Sequence, residues 1–241
     1  MEHFISISSC TTEQLHELLT LSTGLKKRYK AGGRDLALAG KVLIMLFEKP
    51  SLRTRMSFQI AMTDLGGSPI YVKPEDIGGI GKREPVKDIA RVLSRYAHGI
   101  MARTFEHTTV TDLAEWSSVP VINALTDWSH PCQAMADVMT ISEHPGELKD
   151  VKIAFIGDGN NVARSLAFAC AKLGMNMDIA SPKGYELDTG SIDRVNKLCP
   201  DCVTMTNDPV KAVTDANIVY TDTWVSMGQE EEKQIGRASC R

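Results

Sequence analysis

The chain has 241 residues and a formal net charge of −3, from 27 basic and 30 acidic side chains. This length allows one large domain or two modest ones with a sizeable core. The small net charge excludes a global field that would attract nucleic acid or an anionic membrane, so any anion site must be local.

The first predicted element is a helix over residues 11–29, TTEQLHELLTLSTGLKKRY. Thr11 and Gln14 have the spacing of a capping box, and leucines recur at helical period from Leu15 onward.

Eight apolar runs after this helix predict strands, and helical patterns separate most of them. The runs span residues 41–47, 69–72, 100–102, 119–125, 151–157, 176–180, 202–206 and 217–221. Between the second and third runs, Pro85 suits a first helical turn and Gly99 a C-cap. Continuous apolar strands that alternate with helices are typical of parallel sheets covered on both faces.

The stretch SEHPGELKD, residues 142–150, is polar and contains a proline and a glycine, so it predicts a hinge. We therefore predict an α/β protein with two doubly wound parallel-sheet domains and an interdomain cleft. The domains span residues 1–146 and 147–234.

The last seven residues, Ile235 to Arg241, read IGRASCR, and a common sequencing adapter translates to the first six of them. We hypothesise that this tail is artefactual and that the second domain is incomplete.

A first candidate site follows the strand at 41–47. Ligands of parallel α/β sheets bind beyond the carboxyl ends of the strands. Ser51, Arg53 and Thr54 lie there, where a helix over 54–65 should begin. Free N–H groups and the dipole at a helix start favour a phosphate, whose hydrogen bonds hydroxyls and a guanidinium would complete. We expect Arg55 to point away and form a structural ion pair.

Two further strand ends carry polar side chains. Arg103 ends the run at 100–102, and His130 and Gln133 follow the run at 119–125. Each has a simpler interpretation, because an arginine after a strand is usually solvated and a histidine before a helix can be an N-terminal cap. Together, three strand ends that deliver these groups indicate a site for a phosphate and a carbonyl.

Two other motifs carry weaker signals. IGDGNNVARS, from Ile156 to Ser165, follows a strand and opens a helix, as a dinucleotide-binding fingerprint does. It lacks the third glycine and a clear ribose-binding acid, so a nicotinamide-binding dehydrogenase is a less favoured interpretation.

The pair Cys199 and Cys202 could be half a zinc site or a redox pair. No second pair follows, and we interpret both as packing thiols.

The start of the chain and its cysteines indicate the compartment. MEHFISISSCTTEQ lacks the basic start and long apolar run of a secretory signal, and no run approaches the length of a membrane span. The six cysteines are scattered, which suits a reducing compartment. We expect a soluble, cytoplasmic protein.

The motifs resemble the aspartate/ornithine carbamoyltransferase family over nearly the whole chain. FEKPSLRTRMSF is similar to its S-T-R-T-R motif for carbamoyl phosphate, and HPCQAMAD to its H-P-x-Q motif. IGDGNNVARS, GKREPVKDIARVLSRY and TDTWVSMGQEEE resemble the ornithine branch. The resemblance implies transfer of a carbamoyl group from carbamoyl phosphate to the δ-amine of L-ornithine, giving L-citrulline and phosphate in arginine metabolism.

The resemblance also implies roles for residues that match the family motifs. Those implied to contact carbamoyl phosphate are Ser51, Leu52, Arg53, Thr54, Arg103, His130 and Gln133, with Arg103 and His130 as the catalytic pair. Those implied to contact ornithine are Asn161, Asp222, Ser226 and Met227. Leu52 stands where the motif often has threonine, so only its backbone N–H would serve.

The residue types suit this reaction without a metal or organic cofactor. Arg53, Arg103 and the helix N-terminus would neutralise the departing phosphate, and His130 would donate to the carbonyl oxygen as charge builds. The family forms trimers, and the segment from Glu75 to Asp88 resembles a loop given to a neighbouring subunit, with Lys82 as a possible donor in trans.

Three alternatives stay open at this point. The acceptor could be aspartate or an acylated ornithine, the chain could be a catalytically silent binding fragment, or it could be the dehydrogenase. The family carries an H-C-L-P segment and a last helix that have no counterpart here. We therefore expect the 241-residue chain to bind carbamoyl phosphate weakly and to turn over poorly.

Overall fold

The computed structural model describes residues 1–144 and 147–222, and the chain divides after Met139 into two compact units. Each unit contains one sheet of four parallel strands. This confirms the predicted α/β class with two parallel-sheet domains. The predicted boundary between residues 146 and 147 and the predicted cleft stay predictions.

All eight predicted strands are present. They are β1 (Val42–Phe47), β2 (Ser68–Val72), β3 (Gly99–Arg103), β4 (Val121–Leu125), β5 (Lys152–Ile156), β6 (Asn176–Ala180), β7 (Val203–Thr206) and β8 (Ile218–Thr221). The order is β2-β1-β3-β4 in the first sheet and β7-β6-β5-β8 in the second. Leu43 of β1 lies opposite Pro69 on one side and Gly99 on the other.

One helix precedes the strands, and others separate most of them. They are α1 (Thr12–Lys30), α2 (Leu52–Asp64), α3 (Val86–Tyr96), α4 (His107–Trp116), α5 (Pro131–Ser142), α6 (Asn161–Leu173), α7 (Thr189–Leu198) and α8 (Pro209–Val213). The capping box of Thr11 and Gln14 is formed. Within the described residues, no helix has the length and apolarity that crossing a membrane requires.

The predicted C-cap at Gly99 is wrong. Helix α3 ends at Tyr96, with Ala97 as its C-cap, and Gly99 is the first residue of β3. A Cβ at this position would lie 3.3 Å from Leu43 Cδ1 on the neighbouring strand, a tight contact. The glycine therefore serves close strand packing instead of a helix end.

The first sheet is covered on both faces, as its apolar strands predicted. On one face Ile44 and Ile100 pack with Leu113 of α4, and on the other Met45 packs with Met62 of α2. Parallel strands with both faces buried cannot alternate with polar residues, so the polar groups are left for the strand ends.

The thiols of the CPDC motif pack within the second unit. Cys202 is buried and its Sγ donates to the carbonyl of Cys199 over 3.1 Å. Burial raises the pKa of the Cys202 thiol to about 12. A thiol so protonated at neutral pH is a poor nucleophile and a poor metal ligand.

The turn between β5 and α6 depends on Gly159. Its N–H donates to the carbonyl of Tyr185 over 2.8 Å. A Cβ built on Gly159 would lie 2.1 Å from the backbone nitrogen of Leu187 and 2.5 Å from the carbonyl carbon of Glu186. Backbone atoms cannot move aside as a flexible side chain can, so only glycine fits here.

We predict that Gly159→Ala destabilises the second unit by about 1–3 kcal/mol or more, the range for forced overpacking. Gly24→Ala is the matched control, because a Cβ at Gly24 in α1 meets nothing within 4 Å. That control should be neutral or stabilise by up to about 1 kcal/mol, since alanine favours a helix interior. Urea unfolding followed by circular dichroism compares the two, and equal midpoints would contradict the packing argument.

Candidate functional site

The N-terminus of α2 carries a cluster of hydroxyls. Ser51 is the N-cap, and its Oγ accepts from the backbone N–H of Thr54 over 3.4 Å. The Ser51 hydroxyl also lies 3.0 Å from Thr54 Oγ1, to which it donates. Helix α2 begins at Leu52, two residues before the predicted start, so the free N–H groups of its first turn follow Ser51 directly.

Arg103 reaches this cluster from the neighbouring strand. It is the last residue of β3, and its Nη1 donates to Thr54 Oγ1 over 3.2 Å. Thr54 Oγ1 therefore accepts from both Arg103 and Ser51, and its own hydrogen is left to donate elsewhere. Among the described residues, none takes that hydrogen bond. A hydroxyl in this state suits an added acceptor such as an anion.

The guanidinium of Arg103 is buried, with only 5% of the residue exposed. Its Nε has no hydrogen-bond acceptor within the part of the chain that the structure describes. Burial lowers the pKa of Arg103, although a guanidinium keeps its charge at neutral pH. A buried cation with an unused donor is costly unless a ligand satisfies it.

The loops after β1, β3 and β4 are bonded to one another. The N–H of Glu48 donates to the carbonyl of Arg103 over 2.8 Å, and the N–H of Phe105 donates to Glu48 Oε2 over 2.9 Å. The N–H of Thr104 donates to the carbonyl of Leu125 over 3.0 Å. These bonds fix the three strand ends relative to one another, so Arg103 is held in place from both sides.

His130 follows β4 and directly precedes α5. Burial, and after it the charge of Arg103, lowers the pKa of His130 to about 4. His130 is therefore neutral at physiological pH, with one ring N–H as a donor.

Gln133 lies in the first turn of α5. Its Nε2 donates to Asp137 Oδ1 one turn later, over 2.8 Å. This bond fixes the orientation of the amide and leaves Oε1, which no described residue contacts as a donor, as its acceptor end.

Three neighbours of the cluster lie apart from it. The side chain of Leu52 is 78% exposed, and Arg53 is exposed without an ion pair or hydrogen bond to any described residue. Arg55 points away, as expected, but no residue that the structure describes forms the expected ion pair with it. Its guanidinium lies 4.0 Å from the centroid of the Tyr71 ring, and its Nε donates to Gln59.

Sequence reasoning missed Glu48 and Lys49, the two residues at the start of the EKPS stretch. Glu48 joins the loops, and the Nζ of Lys49 lies 4.5 Å from the centroid of the Phe105 ring. Desolvation, and after it the charge of Arg103, lowers the pKa of Lys49. Their position between a buried strand and a predicted anion site was the available signal.

In the second unit, Asn160 organises the end of β5. It is the N-cap of α6, and its Oδ1 accepts from the N–H groups of Val162 and Ala163. Its Nδ2 donates to Asp222 Oδ2 over 2.7 Å. Asp222 follows β8, so this bond holds its carboxylate beside the start of α6. Sequence reasoning named Asp222 and missed Asn160, although an asparagine before a helix is a strong N-cap signal.

Of the four remaining predicted site residues, the structure describes Asn161 and Lys82. Asn161 is the first residue of α6, half-buried, and its carbonyl accepts from Ser165 Oγ over 2.7 Å. Ser226 and Met227 lie outside the described residues, as does the tail at 235–241. Lys82 is exposed, in a loop that the buried Ile80 anchors.

The dinucleotide-like turn of the second unit is filled by the chain itself. The N–H of Gly159, which a pyrophosphate would need, donates to the carbonyl of Tyr185. The residues after Tyr185 occupy the space against Gly159 that a phosphate would enter. The close approach that requires glycine here is thus to backbone, which argues against the nicotinamide-binding interpretation.

Two family models match the chain. The model described as aspartate/ornithine carbamoyltransferase, carbamoyl-P binding domain, matches residues 2–143. The model described as aspartate/ornithine carbamoyltransferase, Asp/Orn binding domain, matches residues 149–241.

Individual proteins show the same similarity. The ornithine carbamoyltransferase of Methanocorpusculum labreanum is 49% identical over 231 residues, which are 96% of this chain and 75% of that protein. The solved structure of the enzyme of that name from Pyrococcus furiosus superposes with a TM-score of 0.93 at 44% identity, over 98% of this chain and 76% of the other. That from Thermus thermophilus gives a TM-score of 0.85 at 41% identity, over 98% and 78%.

We predict that the ring of His130 titrates with a midpoint near pH 4, because burial and Arg103 disfavour its charged form. Histidine NMR signals, assigned by their loss in His130→Gln, measure this. Unfolded His130 protonates near pH 6.5. The stability tied to its neutral form is therefore complete above that pH and is lost as the pH falls towards 4. Arg103→Met should raise the midpoint, and a midpoint near 6.5 in the unaltered protein would contradict the argument.

Proposed function

We propose that this chain, which belongs to the aspartate/ornithine carbamoyltransferase family, transfers the carbamoyl group of carbamoyl phosphate to the δ-amine of L-ornithine. The products are L-citrulline and phosphate. The first unit would hold carbamoyl phosphate and the second unit ornithine, which agrees with the descriptions of the two matching domain models.

The observation that carries the proposal is the state of Arg103. Its guanidinium is buried and bonded to Thr54 Oγ1, and its Nε has no acceptor among the described residues. A phosphate would accept from Nε and from the Thr54 hydroxyl together. It would also lie at the N-terminus of α2, where N–H groups and the helix dipole favour an anion.

The other proposed contacts to the phosphate come from residues at the start of α2. Ser51 caps α2, and the backbone N–H groups of Leu52 and Arg53 belong to its first turn. We propose that these N–H groups and the Ser51 hydroxyl bind phosphate oxygens. The exposed guanidinium of Arg53 would add a second positive charge as a ligand arrives.

The carbamoyl end would use His130, Gln133 and Arg103. Neutral His130 and the guanidinium of Arg103 would donate to the carbonyl oxygen, which becomes negative as the amine attacks. Gln133 Oε1 would accept from the carbamoyl NH₂, because its Nε2 is already committed to Asp137.

The second unit would hold the amino-acid end of ornithine. Asp222 suits the α-ammonium group, and its bond from Asn160 orients the carboxylate. Asn161 would contribute from the start of α6. Ser226 and Met227, which lie outside the described residues, are proposed here from the family motif alone.

The reaction balances without a cofactor. The lone pair of the neutral δ-amine attacks the carbonyl carbon, a C–N bond forms, and the electrons of the cleaved C–O bond leave with phosphate. The amine loses one proton, which the departing phosphate can accept. Arg103 and the α2 N-terminus would stabilise the charge that phosphate gains, and fixing both reactants in orientation would supply much of the acceleration.

Two features of assembly and location belong to the same proposal. We propose a homotrimer, with Lys82 of the glycine-rich loop donating to a neighbouring subunit's phosphate. The exposure of Lys82 is compatible with this. A cytoplasmic location is proposed from the scattered cysteines, which suit a reducing compartment.

We predict that the protein forms citrulline from carbamoyl phosphate and L-ornithine, and no carbamoyl aspartate from L-aspartate. A carboxylate at Asp222 attracts an ammonium group but gives no reason to prefer the second carboxylate of aspartate. Colorimetric citrulline, chromatographic carbamoyl aspartate and released phosphate are measured side by side. Carbamoyl aspartate as the main product would favour the aspartate alternative instead.

We predict that Arg103→Met lowers kcat/KM for carbamoyl phosphate by about 10²-fold or more, the scale for losing a preorganised charged donor. Arg55→Lys is the matched control, because Arg55 stacks on Tyr71 away from the cluster, and it should stay within about threefold. Calorimetric titration with inorganic phosphate provides a binding measurement that does not need turnover. Equal effects of the two substitutions on kcat/KM would contradict a role of Arg103 in binding carbamoyl phosphate.

A further inference from the structure

The first residues of the chain extend the first sheet. The N–H of Phe4 donates to the carbonyl of Val121, and the N–H of Asn123 donates to the carbonyl of Phe4, both over 2.8 Å. Phe4 pairs in parallel with Ile122 on the free side of β4. The sheet edge that β4 would otherwise present is covered by the chain's own N-terminal segment.

Asn123 joins that segment to the turn that precedes His130. It is fully buried, and its Nδ2 donates to the carbonyl of Ile5 over 2.8 Å and to the carbonyl of Ser129 over 3.4 Å. The reverse orientation of the amide would put Oδ1 against two carbonyl oxygens, so these partners fix which atom is nitrogen. One side chain thus links residues at opposite ends of the first unit's sequence.

The carbonyl of Ser129 is held by several donors at once. Besides Asn123, it accepts from the N–H of Thr126 over 2.9 Å and from Thr126 Oγ1 over 3.3 Å. The N–H of Ser129 in turn donates to Thr126 Oγ1 over 3.1 Å. The carbonyl of Ser129 belongs to the peptide bond that joins Ser129 to His130. Its position therefore fixes where the backbone of His130 begins.

An asparagine side chain costs free energy at a buried core position. Its Oδ1 is buried, and no described residue donates to it. An apolar residue would avoid this desolvation cost, whereas the amide alone provides the two Nδ2 bonds.

Asn123 also lies where the sheet register changes. It pairs with Ala102, but the next pair joins Arg103 to Leu125, so β4 carries one extra residue there. Such a bulge bends a strand and redirects side chains, and bulges are frequent beside active sites. The same position therefore governs the approach of β4 both to Arg103 and to the turn before His130.

We propose that Asn123 is a positioning residue for His130, which acts by holding the Ser129 carbonyl against the N-terminal segment. This inference rests on the proposed function only for the role of His130 in catalysis. The positioning itself is a statement about where the His130 ring lies. It assigns a functional task to the N-terminal segment, which lies far from His130 in sequence.

The test replaces Asn123 with alanine, alone and combined with His130→Ala. Asn196→Ala is the matched control, because Asn196 is exposed on α7 in the second unit. We expect Asn123→Ala to lower kcat/KM by about 10- to 100-fold, the scale of a small misplacement of a catalytic group. In the His130→Ala background it should cause no further loss, since the residue through which it acts is gone.

A second measurement does not depend on turnover. The ring signals of His130 in NMR spectra should move in Asn123→Ala and stay unchanged in Asn196→Ala. If the unaltered protein makes no citrulline, the proposed function fails while this measurement still decides the positioning.

Two results would overturn the inference. One is a loss of activity from Asn123→Ala that is equally large with and without His130, and the other is unchanged His130 ring signals. Should Asn123→Ala not fold, Thr126→Val removes another donor to the same carbonyl with little change in volume. It is then expected to show the same two effects, and their absence from that variant would count equally against the inference.

Discussion

The hydrogen bond from Arg103 to Thr54 is the constraint on which the first unit depends. It brings a guanidinium, out of water, to the positive end of α2. The buried guanidinium and the positive end of the helix dipole repel each other, and the Thr54 hydroxyl does not remove that repulsion. The arrangement is therefore poorly satisfied without a ligand and becomes favourable when an anion arrives. Burial of apolar strands elsewhere in the unit must offset its cost.

The surrounding backbone explains why Arg103 cannot relax away from this position. Its carbonyl accepts from the N–H of Glu48 in the loop after β1, while the residue after it donates to the carbonyl of Leu125 at the end of β4. A donor held in this way needs no reorganisation when charge develops on a substrate, which is what makes fixed dipoles effective in catalysis. Asn123 extends the same logic to His130 from the other side of β4. Side chains at a site are only as well placed as the carbonyls and N–H groups behind them.

The strands and the helix caps at Thr11 and Ser51 could be predicted because they depend on neighbours in sequence. Apolar runs, the capping box at Thr11 and the hydroxyl N-cap at Ser51 are local patterns. The residues that were missed depend on contacts between distant parts of the chain. Asn123 bonds Ile5, which is 118 positions away, and Asn160 bonds Asp222, which is 62 away. No periodicity records such pairs, and Gly159 was misleading because its contact is with backbone rather than with a ligand.

The neutral state of His130, to which burial and the charge of Arg103 both contribute, has a consequence for the rate of the chemical step. If His130 were charged, it would bind phosphate strongly in both the substrate and the product, and uniform binding of that kind does not accelerate the chemical step. As a neutral donor, it favours the carbonyl oxygen in proportion to the charge that this oxygen acquires, which is largest in the tetrahedral transition state. Arg103, after burial, helps to keep His130 neutral. In the proposed mechanism the same guanidinium would also supply charge to the phosphate, so that it would serve both ends of carbamoyl phosphate.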